Sequence, residues 1–230
     1  MSKSILALAA VLLLPAATPA LAQDDEDYYA YPYILSYHPF RVQIEGGRTI
    51  TEGPQIRYLD NGPNLGLGFT WQPLSHLPLA FRVDGMYEKF EMRPPLLAQA
   101  AAYFGTRVDE GSSKMWGGDI DAELDFPVGV GARLYLLGGG GWYDQQNSYR
   151  QLAFVNGQTC DLLGCASGVS QASSLVARIT TGMRFEKNAG VGVEIAISDR
   201  ASFFVDARYM RFSSSATGRD FIPIRFGVRY

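Results

Sequence analysis

The residues best placed to do chemistry are carboxylates, and they come in a run. "DIDAELD" puts Asp119, Asp121, Glu123 and Asp125 two apart, so on an extended strand all four share one face at about 6.6 Å spacing. A file of carboxylates can hold a cation or pair with arginines. The glycine and terminal glutamate of a calcium loop are missing around it, so the sequence favours salt bridges and assigns no metal. His38 and His76 are the only histidines. They fall at the start of the first strand and in a short turn, at the end opposite the long loops where a surface site would sit, and catalytic residues are therefore put at none. "GGGG" at 138–141 lacks the following Lys and Ser or Thr of a phosphate-binding loop and reads as a place where a strand bends. Cys160 and Cys165, in "CDLLGC", are the only two thiols. In an exported chain they are expected to form a small disulfide, and no cofactor is called for.

The elements that must position these residues are strands. "FRVQIE" sets Phe40, Val42 and Ile44 against Arg41, Gln43 and Glu45, and "NLGLGFTW" repeats the pattern. "LAFRVDGMYEKF" opposes Phe81, Val83 and Tyr87 to Arg82, Asp84 and Glu88. "WGGDIDAELDF" opposes Trp116, Ile120, Leu124 and Phe126 to the carboxylate file. In "ARLYLLGGGGWY" both faces hold apolar residues, and Arg133 is placed inward. The stretch from Leu175 to Ile197 is expected to run as one strand, with Lys187 the odd residue on its apolar face. Short turns (73–78, 127–131, 198–200) alternate with long loops (49–63, 91–114, 144–174), and 93–105 reads as a loop helix.

Which face is buried follows from volume. An eight-strand barrel has an interior just wide enough for side chains, too small for Phe69, Trp71, Phe81, Trp116, Phe126, Phe203, Phe226 and Tyr230 together. The apolar face must then be the outer one. The interior is an expected charge network of Arg82, Asp84, Glu88, Asp119, Asp121, Glu123, Asp125, Arg133, Arg184, Glu194, Asp206, Arg208 and Arg225, with Arg41, Glu45 and Arg229 on the same face. The fold class is thus all-β, a closed antiparallel up-and-down transmembrane barrel of about eight strands with a polar interior.

Composition agrees with export and excludes some partners. The 230 residues carry 20 Lys and Arg against 23 Asp and Glu, a formal charge of −3, which offers no footprint for nucleic acid. Residues 1–22 have the charged start, apolar run and A-x-A ending of a signal peptide. Residues 23–39 form a Tyr-rich periplasmic lead-in, and 40–230 the barrel domain. The expected location is the cell outer membrane, reached through a cleaved leader.

The blocks "LPLAFRVDGMYEKF", "GARLYLLGGGGWYD", "NAGVGVEIAISDRASFFVDARYMRF" and "FIPIRFGVRY" resemble those of the small outer-membrane β-barrel proteins related to OmpX and the OmpA membrane domain. The resemblance spans Phe40 to Tyr230 with the loops unmatched. It implies outer-membrane lipid as surroundings and the barrel-assembly machinery as a partner during biogenesis, with Ile224, Phe226, Val228 and Tyr230 as the assembly signal. It implies architecture rather than an activity. The expected function is a non-enzymatic envelope or surface-interaction role through the long loops, with a surface protein of unknown identity as partner; the alternative is a narrow channel for ions or small solutes.

Overall fold

The computed structural model describes residues 38–74, 77–129, 131–161, 164–213 and 219–230, with 153–173 and 219 by backbone alone. The expected leader, almost all of the Tyr-rich segment and His76 lie outside the described residues. In chain order the elements are β1 (Phe40–Glu52), a 3-10 turn (Gly53–Arg57), β2 (Gly62–Trp71), β3 (Leu79–Glu91), α1 (Pro94–Phe104), β4 (Glu110–Gly129), β5 (Ala132–Asp161), β6 (Gly164–Thr180), β7 (Arg184–Ala196), β8 (Ser202–Phe212) and β9 (Arg219–Arg229).

Eight of the nine strands close on themselves. Each pairs antiparallel with the next, β5 passes over β6 to pair with β7, and β9 returns to β1 from Gln43 opposite Arg229 to Glu52 opposite Asp220. Val42 and Tyr230 exchange both backbone hydrogen bonds at 2.8 Å, which carries the seam to the last residue. Closure satisfies the edge groups that water would otherwise have to solvate.

Following the register once around from Arg41, through Thr70, Arg82, Asp121, Gly139, Asn188, Met210 and Phe221, returns to β1 at Thr51. The shear is ten residues. For eight strands that tilts each strand about 40° from the axis and gives a backbone radius of about 8 Å.

The burial pattern is that of a membrane barrel. Ile44, Leu67 and Ile120 are about 60% exposed on the outer wall, whereas Arg82, Arg208, Arg225 and Arg229 are buried at 0–1%. Outward aromatic rings gather at two levels. Phe40, Trp71, Phe81, Phe126, Phe203 and Tyr230 ring the end that carries the short turns, with Phe40 and Phe69 stacked at 5.6 Å and Trp71 and Phe81 at 5.9 Å. Tyr87, Trp116, Trp142 and Phe185 ring the other, with Trp142 and Phe185 at 5.3 Å. On β4 the ten residue steps from Phe126 to Trp116 span about 25 Å along the axis, the height of the apolar band of outer-membrane barrels.

One expected strand is two. The run from Leu175 to Ile197 breaks at 181–183, where Gly182 adopts φ 74°. Below the break β7 joins the wall; above it β6 pairs with β5 alone. Alternation continues on both sides of a break of this kind, so the period could not reveal it. The tally of about eight strands holds for the barrel, with β6 a ninth outside it.

The glycines expected only to bend β5 also make room. Gly139 and Gly141 face inward, where an added Cβ would sit 2.1 Å from the carbonyls of Ile120 and Gly118. Gly192, opposite Tyr135, has the same role: its Cβ would lie 2.3 Å from the Tyr135 ring. We predict that Gly192→Val lowers the urea midpoint of the folded barrel by an amount equal to about 1–3 kcal/mol of overpacking. Adding Tyr135→Ala should restore much of it, as read by heat-modifiable gel migration.

Candidate functional site: the filled lumen and the protruding ribbon

The inward file of every strand converges on a lumen too narrow to leave charges solvated, and the charges sort by level. Nearest the short-turn end, Arg229 donates to Glu123 at 3.0 Å, to Glu194 at 2.5 Å and to Gln43 at 2.8 Å. Arg133 bridges Asp125 at 3.0 Å and Glu194 at 2.7 Å, and Arg41 lies 3.6 Å from both Glu123 and Glu194. In the middle, Arg82 reaches Glu45 at 2.5 Å, Asp84 at 2.8 Å and Asp206 at 3.0 Å. Arg225 holds Glu45 at 2.9 Å and Asp206 at 3.2 Å, and Arg208 holds Asp84 at 2.6 Å and Asp121 at 2.5 Å. The guanidiniums of Arg82 and Arg229 also lie over the Phe204 ring, at 5.3 and 5.0 Å.

Toward the other end the arginines run out. Glu88 accepts from Thr49 at 2.9 Å, Asp119 accepts from the Tyr143 hydroxyl at 2.7 Å with Arg208 3.8 Å away, and Glu186 accepts from Asn188 at 3.1 Å. Among the described residues neither Glu88 nor Glu186 has a salt bridge. Above them the interior turns apolar: Leu59, Phe90, Met92, Met115, Met210, Phe212 and Phe221 form a plug with Tyr143 and Tyr149. Phe221 meets Phe90 at 5.3 Å and Phe212 at 5.7 Å. Helix α1 roofs this plug through buried Ala100, half-buried Leu96 and Leu97, and Phe104 against Tyr149 at 5.4 Å. Pro at its first turn and Gly105 at φ 64° after its end fix its limits.

Of the charges assigned to the interior, all but one are buried or nearly so. Arg184 is the exception, half-buried on the inward face at the upper rim of β7, beside Tyr143 and Phe212. Glu186, Thr49, Tyr135 and Tyr143 belong to the lumen and were missed, while Gln43 joins it from the polar face of the first strand. Glu186 could have been found, since it falls in phase between Arg184 and Asn188. His38 sits at the short-turn end, its Nε2 3.1 Å from the Asp199 carbonyl. Phe226, Val228 and Tyr230 lie exposed on the outer wall, with Ile224 half-buried in the same file.

Beyond the barrel the long loop is a ribbon. β5 and β6 pair from Gln146 opposite Thr180 to Asp161 opposite Gly164, and β4 leaves β5 at Arg150. The eleven residues of β5 from 151 to 161 therefore stand about 36 Å past the last wall strand. Cys160 is opposite Cys165 at the tip. At the base, Asp109 clasps the ribbon to the loop after α1. It accepts from the Leu152 amide at 3.0 Å and from Arg107 at 2.6 Å, while its own amide donates to the Arg150 carbonyl. The Leu152 bond and the Arg107 bond hold the Asp109 carboxyl below its ordinary pKa.

A depressed folded-state pKa contributes order above the unfolded value, and that contribution disappears as pH falls through the folded one. The protection of the Leu152 amide, relative to its intrinsic exchange rate at each pH, should therefore be high at neutral pH and fall once the pH drops below the ordinary carboxylate value of about 4. Asp109→Ala, which removes the acceptor, should show the low protection at every pH. In the lumen, Arg82→Met leaves Glu45 and Asp206 with Arg225 and Asp84 with Arg208, one guanidinium short for three buried carboxylates, and should cost about 3–5 kcal/mol of unfolding free energy in lipid vesicles.

No family model and no curated protein matches the chain. Among solved structures it is similar to Neisserial surface protein A (NspA), at 15% identity over 84% of this chain and 96% of that one, with a TM-score of 0.49. A major outer membrane protein of Thermus thermophilus gives 10% identity, 84% and 99% coverage and 0.49. OprG from Pseudomonas aeruginosa gives 11%, 86% and 98%, and 0.47. The closed register and the inverted burial, rather than these likenesses, establish the architecture: the chain is a closed eight-stranded up-and-down β-barrel of the outer-membrane type.

Proposed function

We propose that the protein is a non-enzymatic outer-membrane barrel that anchors a surface-interaction ribbon, exported by the leader of residues 1–22. The observation that carries this is the β5–β6 ribbon, whose strands have no other strand beside them beyond Arg150 among the described residues. An unpaired strand edge outside the membrane is a template on which a second chain can add a strand. The lumen supports the same reading. Its middle is crossed by three arginines in salt bridges and its outer end is packed with Phe90, Phe212 and Phe221. The alternative, passage of ions or small solutes, would require both layers to move.

Two further parts of the proposal concern biogenesis and the tip. The outward file of Ile224, Phe226, Val228 and Tyr230 is available to the barrel-assembly machinery before β9 meets β1. Cys160 and Cys165, opposite in the register, form a disulfide in an oxidising compartment and close the tip.

In planar bilayers the purified protein should give no steady conductance; a reproducible one abolished by Arg208→Ala would replace this reading with the channel. Replacing residues 153–173 by a two-residue turn should leave heat-modifiable migration unchanged and abolish adhesion of expressing cells to host surfaces. Unchanged adhesion would remove the ribbon from the function. Thiol reagents should label the tip of intact cells only after reduction.

A further inference from the structure

Lys89 on β3 and Lys114 on β4 are cross-strand partners, and both side chains face outward. Like charges directly opposite on a sheet repel at close range, which makes such a pair costly unless something sits between them. Among the described residues neither lysine has a salt bridge. They stand one outward pair beyond Tyr87 and Trp116, also cross-strand partners, so they lie about 6.6 Å further along the strands than the aromatic ring that marks the edge of the apolar band.

The pair lies in a groove of about 530 Å³ on the outer wall. Tyr87 forms its floor, Ser112 and Ser148 contribute hydroxyls, and Leu97 of α1 overhangs it. Glu91, Asp109, Glu110 and Arg150 line the upper part, beyond the lysines, so the end of the groove that meets the membrane carries the two lysines and no carboxylate. The remaining outward cations on the strands share this bias. Arg48, Lys187 and Arg211 all lie in the half of the wall away from the short turns, and Lys187 and Arg211 are again direct partners. Arg211 has a counter-ion in Asp220 at 3.8 Å; among the described residues the Lys89 and Lys114 pair has none.

We propose that this groove binds the phosphate of an outer-leaflet lipid headgroup, held between the Lys89 and Lys114 ammonium groups with Ser112 as a further donor. The proposal rests on the membrane-barrel reading above. A lipid is the occupant because the site opens onto the apolar band at Tyr87 and Trp116: a headgroup can enter the groove while its chains stay on the wall below. Two lysines at the membrane surface give a phosphate monoester the favourable field that a neutral zwitterionic headgroup does not receive.

Trp116 is the natural reporter. With Trp71→Phe and Trp142→Phe it becomes the only tryptophan of the 3 in the chain, and acyl-chain bromine quenches it only from lipid in contact with the wall. The full-length protein is refolded into phosphatidylcholine vesicles containing a minor fraction of phosphatidic acid, with bromine on one lipid or the other. Brominated phosphatidic acid should be preferred at the wall by on the order of thirtyfold, since each of the two surface lysines contributes about 1 kcal/mol, roughly a factor of five. The preference should vanish in K89Q/K114Q, persist in K89R/K114R, and survive millimolar inorganic phosphate. Equal quenching by the two lipids, or a preference that K89Q/K114Q retains, overturns the site. Full competition by inorganic phosphate overturns the lipid as occupant and makes this a free-phosphate site. Absence of quenching by brominated phosphatidylcholine would instead overturn the membrane-barrel reading on which the proposal stands.

Discussion

Every other feature depends on the pairing of β1 with β9. A strand edge facing hydrocarbon has no water to satisfy its amides and carbonyls, so a sheet that enters the membrane must close. Once it closes with eight strands and a shear of ten, the radius is fixed at about 8 Å. That radius decides what the lumen contains. It excludes the bulky aromatics in the numbers this chain carries, and admits long charged side chains whose partners lie across the axis. Arg82 reaching Asp206 and Arg229 reaching Glu123 are cross-lumen bonds of this kind. They exist because closure brings together residues more than a hundred positions apart.

The lumen is graded rather than uniform. The inner two-thirds balance guanidiniums against carboxylates in multiply hydrogen-bonded bridges, an arrangement in which removing one member exposes several others. Glu88 and Glu186 then stand without arginines, and an apolar plug under α1 separates them from the outside. This layering holds the wall in one register.

The same wall strand that helps seal the barrel also leaves it. β5 contributes Tyr135 and Tyr143 to the lumen and then carries on as one edge of the ribbon, so the rigidity of the barrel is transmitted to the base of the projection. Asp109 reinforces that junction from the side. The break at Gly182 divides the labour of the returning chain: β7 completes the wall, and β6 completes the ribbon.

Alternation by itself determined which residues of nearly every strand share a face, and the size of the aromatic residues determined which face had to be outside. The carboxylate file of β4, the inward placing of Arg133 and the loop helix were legible for this reason: each is a local period or a volume. What the tertiary structure alone decided was partnership and level. A period of two says that Arg208 points inward, but only the shear says that it meets Asp84 and Asp121 rather than Glu88. The break at 181–183 was invisible because the pattern runs through it. Tyr135 and Leu137 looked ambiguous because apolar residues occupy both faces of β5, and their place inside is granted by Gly192 and Phe204 on other strands. The opposition of Lys89 and Lys114 was equally hidden, since a strand's sequence records its own spacing and not the register of its neighbour.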